Sequence, residues 1–154
     1  MGIRCAVIGM GFWGQFMLEK IQNSDKYNAA AVYNRTSSIE SSLKLKGASF
    51  YSDLGEMFDK EKLDAVFICT IPSTHLEITR MAAAHGVHVF CEKPLANTID
   101  DCDAMIAACV QSDVLLMTGF KHRFAQSFST VKNRLGELGK PLWAMYTYPL
   151  WEVG

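Results

Sequence analysis

The chain has 154 residues, of which 49% are hydrophobic and 20% charged. That balance belongs to a globular domain with a sizeable core and excludes a disordered chain; at this length folding buries roughly 68–70% of the unfolded surface, so no disulfide or metal is needed for stability. A net charge of −1, with neither sign gathered into a block, argues against a nucleic-acid or anionic-membrane surface as the main partner.

Cys5, Cys69, Cys91, Cys102 and Cys109 contain no C-x-x-C pair, and the first three sit inside apolar runs. They read as buried thiols of a reducing compartment. The longest apolar stretch, from Cys5 to Leu18, is interrupted by glycines and Gln15 and falls short of the roughly 20 residues a bilayer crossing needs. No secretory leader pattern is present either, so a cytoplasmic protein is expected. His85 and His88 lack a third ligand nearby, and no metal site is expected.

In chain order, Ile3 to Gly9 is a short apolar run ending in glycine, and Asn28–Asn34, Asp64–Thr70, Val87–Cys91 and Val114–Thr118 resemble it. Near-continuous apolar strands suit a parallel sheet covered on both faces. Between them lie helical periods. Ile78, Met81 and Ala82 follow Pro72-Ser73-Thr74, where Ser73 or Thr74 can cap a helix. Cys102, Met105, Ile106 and Cys109 mark one face of a helix running from Thr98, with Asp100 and Asp101 suited to its first turn. Phe124, Phe128, Val131 and Leu135 mark another, closed by the glycines and proline of residues 136–141. An aromatic-rich strand is expected at residues 142–148. The alternation predicts an α/β fold with a doubly wound, mostly parallel sheet flanked by helices.

Gly9-Met10-Gly11-Phe12-Trp13-Gly14 is G-x-G-x-x-G, placed between the first strand and the first helix. The first glycine permits a tight turn, the second lets a pyrophosphate approach the backbone, and the third allows the helix to pack on the strand. Dinucleotide binding on a Rossmann sheet follows, with residues 9 to 14, including Phe12 and Trp13, at the phosphates. About twenty residues on, an Asp or Glu would select NAD through the ribose 2′-hydroxyl. Here Asn34, Arg35 and Thr36 stand there, followed by Ser37 and Ser38. A guanidinium and hydroxyls suit a 2′-phosphate, so NADP is expected over NAD; Arg35 stacked on adenine would be compatible with either.

Two later segments end strands at the same sheet edge: Thr70-Ile71-Pro72-Ser73-Thr74-His75 and Glu92-Lys93-Pro94. Together with the glycine turn and Gly119-Phe120-Lys121-His122-Arg123-Phe124, they resemble the signature of the Gfo/Idh/MocA oxidoreductases, NAD(P)-dependent enzymes of sugars and cyclitols. The resemblance implies that Lys93 lies beside the nicotinamide and the substrate hydroxyl as the catalytic lysine. It further implies that Glu92 anchors this turn and that Pro94 follows a cis peptide bond. It also implies that Thr70, Pro72 and His75 line the cofactor cleft and that Arg123 reaches cofactor or substrate. Ile71 departs from the family's more usual proline.

In the family, a second domain on an open antiparallel sheet supplies substrate contacts and commonly an Asp and a His. Residues 1–120 are therefore expected to form the dinucleotide-binding domain, and residues 121–154 a connecting helix and the first strand of a truncated second domain. The expected function is the cofactor-binding portion of an oxidoreductase, inactive by itself; a complete small NADP-binding sensor or partner-binding module is the alternative. Apolar residues of the final strand predict homo-oligomers through that edge.

Overall fold

A computed structural model describes residues 2–140 together with Trp143 and Met145. Two compact units divide the chain, Met1–Gly119 and Phe120–Gly154. The strand expected at residues 142–148 lies outside the described residues, apart from Trp143 and Met145.

Six parallel strands build the first unit: β1 (Ile3–Ile8), β2 (Tyr27–Tyr33), β3 (Ser49–Tyr51), β4 (Ala65–Ile68), β5 (His88–Cys91) and β6 (Leu116–Thr118). Their order in the sheet is β3-β2-β1-β4-β5-β6. The chain thus leaves β1 in one direction and returns to β4 on its other side. Such a reversal opens a crevice at the carboxyl ends of β1 and β4, where open α/β sheets bind ligands. Side-chain alternation divides the core accordingly. Ala6, Ile8, Val66 and Ile68 pack with Met57, Ile78 and Met105 on one face, while Cys5, Val7 and Val32 pack with Leu18 and Ile21 on the other.

The helices of this unit are α1 (Phe12–Gln22), α2 (Leu54–Lys60), α3 (His75–Ala84) and α4 (Ile99–Gln111). Local chemistry explains two of their starts. Asp53 accepts the Glu56 N–H at 2.7 Å to cap α2, and Thr98 accepts the Asp101 N–H at 3.1 Å to cap α4. Thr74 occupies the capping position of α3 but does not cap it. Its hydroxyl donates to the Ile71 carbonyl (2.9 Å) and pairs with the Thr70 hydroxyl (2.8 Å), so it tightens the loop before the helix instead. The apolar face expected on α4 is narrower than its period suggests: Met105 and Cys109 are buried, whereas Ile106 is exposed.

The sequence patterns passed over β3, α2 and a 3-10 segment at Ser37–Ser42. β3 is three residues long and owes its extended form to pairing with β2, Ala31 opposite Ser49 and Tyr33 opposite Tyr51. In the second unit, α5 (Gln126–Arg134) follows a 3-10 turn at Lys121–Phe124. Phe124, Phe128, Val131 and Leu135 are all exposed in the described structure. Among the described residues, no helix is long and apolar enough to cross a membrane.

Candidate functional site

The glycine turn closes β1. Gly9 adopts φ +94°, a left-handed conformation that a side chain disfavours, and its N–H donates to the Tyr33 carbonyl at 2.8 Å. Gly14 lies against it so closely that a Cβ there would stand 1.8 Å from the Gly9 carbonyl oxygen. Gly11 differs: a Cβ would meet nothing within 4 Å. The first and third glycines therefore serve packing, and the second keeps an open approach to the backbone.

That approach leads to the start of α1, where Gly11 is the capping residue and no side chain caps the helix. No acidic residue stands in the first turn. A helix start of this kind turns its first N–H groups and the positive end of the helix dipole toward an anion. Cys69 stands behind the turn, 3.6 Å from where a Gly14 Cβ would be. Burial, reinforced by Glu92, pushes its thiol up to about 12, so it is neutral and sets no negative charge under a phosphate. Burial likewise raises Cys5, to about 11, Cys91, to about 12, and Cys109. The cysteines are all free thiols. The residues present fit a pyrophosphate-bearing nucleotide.

At the end of β2, Asn34 is half-buried and already engaged by the protein. Its Oδ1 accepts the Met10 N–H at 3.1 Å, and its Nδ2 donates to the Thr36 carbonyl at 3.0 Å. Arg35, Thr36, Ser37 and Ser38 beyond it are exposed, and the Arg35 guanidinium makes no hydrogen bond or ion pair among the described residues. Phe12 is 78% exposed and Trp13 39% exposed, with the two rings edge-on at 5.5 Å.

Across the crevice, the Thr70–Thr74 loop follows β4 and the Glu92–Leu95 loop follows β5. The Lys93–Pro94 peptide is cis, as the resemblance implies. Glu92 turns its carboxylate back to accept the Lys93 N–H at 3.2 Å, and packs against Gly119, where a Cβ would come within 3.2 Å of Oε1. Lys93 is exposed, and its ammonium has no partner among the described residues.

His75 occupies a different place from the one expected. Rather than lining the cleft it is 0% exposed, with Nδ1 3.0 Å from the Leu95 carbonyl and Nε2 3.1 Å from the Thr70 carbonyl. The ring ties the two loops together from behind, and a neutral imidazole donates to one of these carbonyls at a time. Arg123 belongs to the second unit, where its guanidinium lies over the Phe120 ring at 5.6 Å. Sequence reasoning missed the Asn34–Met10 tie and the contact of Gly119 with Glu92. The motif spacing hints at the first, since Asn34 falls where a ribose ligand is sought, but nothing local reveals its partner.

A parallel sheet of this order with a glycine turn at its switch point defines a dinucleotide-binding domain. Residues 3–120 match the oxidoreductase family with an NAD-binding Rossmann fold, the Gfo/Idh/MocA group, and the chain belongs to that family. It is 34% identical over 145 residues to myo-inositol 2-dehydrogenase of Thermotoga maritima, covering 90% of this chain and 43% of that protein. It is 33% identical to scyllo-inositol 2-dehydrogenase (NADP(+)) of Bacillus subtilis, covering 89% and 42%. Among solved structures, an oxidoreductase from Agrobacterium radiobacter in complex with NAD+, L-tartaric acid and magnesium superimposes with a TM-score of 0.82 at 27% identity, covering 89% of this chain and 41% of that one. The chain thus spans less than half the length of these relatives.

Proposed function

We propose that the chain binds NADP in preference to NAD and forms the cofactor-binding portion of an oxidoreductase. The reaction is hydride transfer between the nicotinamide and a hydroxyl or carbonyl carbon of a sugar- or cyclitol-like small molecule. One juxtaposition carries this reading. At the carboxyl ends of β1 and β5, which flank β4 in the sheet, stand an uncapped helix start open to phosphate and a cis-peptide loop that presents Lys93, whose ammonium has no partner among the described residues. The inositol dehydrogenase names of the two sequence relatives support the substrate class, and the B. subtilis name supports NADP.

In this reading the backbone of Gly11, Phe12 and Trp13 receives the pyrophosphate, while Gly9 and Gly14 let α1 pack on β1. Arg35 and the Thr36 hydroxyl meet the 2′-phosphate, where no carboxylate repels it. Thr70 and Pro72 flank the nicotinamide half. When bound, the dinucleotide supplies the hydride acceptor or donor. Lys93 Nζ holds the substrate hydroxyl and takes or returns its proton, with Glu92 and Pro94 shaping the turn that aims it. The rest of the enclosure corresponds to the part of the relatives that this chain does not span. Alone, the chain binds the nucleotide without turning over.

Titration with NADPH and NADH, followed by a turnover assay on inositols and aldoses, tests this. The expected result is tighter NADPH binding with no oxidation or reduction. Tighter NADH binding overturns the NADP assignment, and turnover by the chain alone overturns its inactivity.

A further inference from the structure

Asn34 joins two parts of the nucleotide site that are 24 residues apart in sequence. Its carboxamide accepts from Met10 in the glycine turn and donates to the carbonyl of Thr36 in the segment after β2. Its main-chain N–H donates to the Tyr51 carbonyl at 3.1 Å, which pins the residue to β3. The Thr36–Ser38 segment that follows is exposed. A residue whose carboxamide already spans two loops acts chiefly through them.

We propose that Asn34 is a positioning residue that couples the pyrophosphate subsite to the 2′-phosphate subsite. This rests on the NADP reading above. A nucleotide with a pyrophosphate and a 2′-phosphate on one ribose gains full affinity only if both protein elements are held at the matching separation beforehand. The carboxamide suits this task because it is acceptor and donor at once. Alanine removes both ties, and each loop then adopts its own place.

The test uses the chain itself with three probes: NADPH, NADH, and adenosine 2′-monophosphate, which carries the 2′-phosphate but no pyrophosphate. Asn34→Ala is expected to weaken NADPH about tenfold or more, a change of roughly 1.4 kcal/mol, and to leave adenosine 2′-monophosphate within about threefold, because the fragment touches one subsite only. Equal losses for the two would make Asn34 a direct ligand of the adenosine end and overturn the coupling, as would an unchanged NADPH affinity. A second measurement needs no variant. Hydrogen exchange of the Met10 N–H reads its bond to Asn34 directly, and in the native chain adenosine 2′-monophosphate is expected to slow that exchange; no change at Met10 overturns the proposal. If the native chain prefers NADH, the NADP assignment alone fails. The coupling is then read from NADH against adenosine, which lacks the 5′-phosphate and touches the ribose end only, where equal losses in the variant overturn it.

Discussion

Gly11 and Gly14 sit three residues apart in one motif and respond to substitution for opposite reasons. At Gly14 a Cβ would collide with the backbone oxygen of Gly9, an atom that cannot move without displacing β1. Gly14→Ala is therefore expected to cost about 3 kcal/mol or more of stability, visible as a large drop in melting temperature. At Gly11 the added methyl meets no protein atom, and φ of −71° suits alanine. Gly11→Ala should melt close to the native chain yet bind NADPH at least about tenfold more weakly, because the methyl occupies the pyrophosphate's approach. Calorimetric titration on both variants separates the two effects. His75 is the buried counterpart across the crevice. His75→Ala removes the ring N–H that donates to the Thr70 or the Leu95 carbonyl and opens a cavity, for an expected loss of about 2–4 kcal/mol in urea unfolding. The Pro94–Ala96 loop should lose hydrogen-exchange protection at the same time.

Among the elements, the helices differ in how much of their formation is local. α2 has seven residues and α4 thirteen, and each begins on a side-chain cap. Such a bond contributes about 1 kcal/mol, so Asp53→Ala and Thr98→Ala are expected to lower unfolding free energy by that amount in denaturant titrations. For α2 the loss weighs more, because a helix of two turns is held chiefly by its cap and by Met57 and Phe58 in the core. Neither cap was read as such from sequence, although the helix start at Thr98 was. Thr98 stood before a clear apolar period; Asp53 stood before a stretch in which Met57 and Phe58 alone reach the core, too few to show a period. β3 escaped for a related reason, since three residues contain no repeat and become a strand only because β2 offers an edge. Thr74 shows the converse error: the right residue type at the right position, with its hydroxyl drawn away by a closer carbonyl.

For the whole molecule, the buried thiols set an alkaline limit. Cys5 is raised to about 11 and Cys69 and Cys91 to about 12 from 9.0, so the folded chain holds these protons more tightly than the unfolded one. The stability they contribute is fully present below pH 9 and is lost as pH rises from there toward the folded values. Denaturant unfolding between pH 8 and pH 11 should therefore show a steep decline above about pH 9. Cys91→Ala is expected to flatten that decline relative to its own value at pH 8, whereas a slope unchanged by the substitution would assign the alkaline loss to other groups.

Much of the molecule was legible in the linear chain. Five of the six strands, the glycine turn, the Lys93-Pro94 segment and the helices after Pro72 and Thr98 all follow from features confined to a few neighbouring residues: an apolar run, a cap, a position that tolerates no side chain. Those requirements are steric and local, so they survive translation into sequence. What only the tertiary structure decided is which loop faces which. Parallel pairing runs through backbone hydrogen bonds that carry no residue code, and it sets β1 beside β4, bringing Gly9 against Thr70 across some sixty residues of chain. The same arrangement buried His75 between two carbonyls and gave the Asn34 carboxamide to Met10 and Thr36. The sequence marked each as a group facing the cofactor; packing made one a brace behind the site and the other a tie between its two halves.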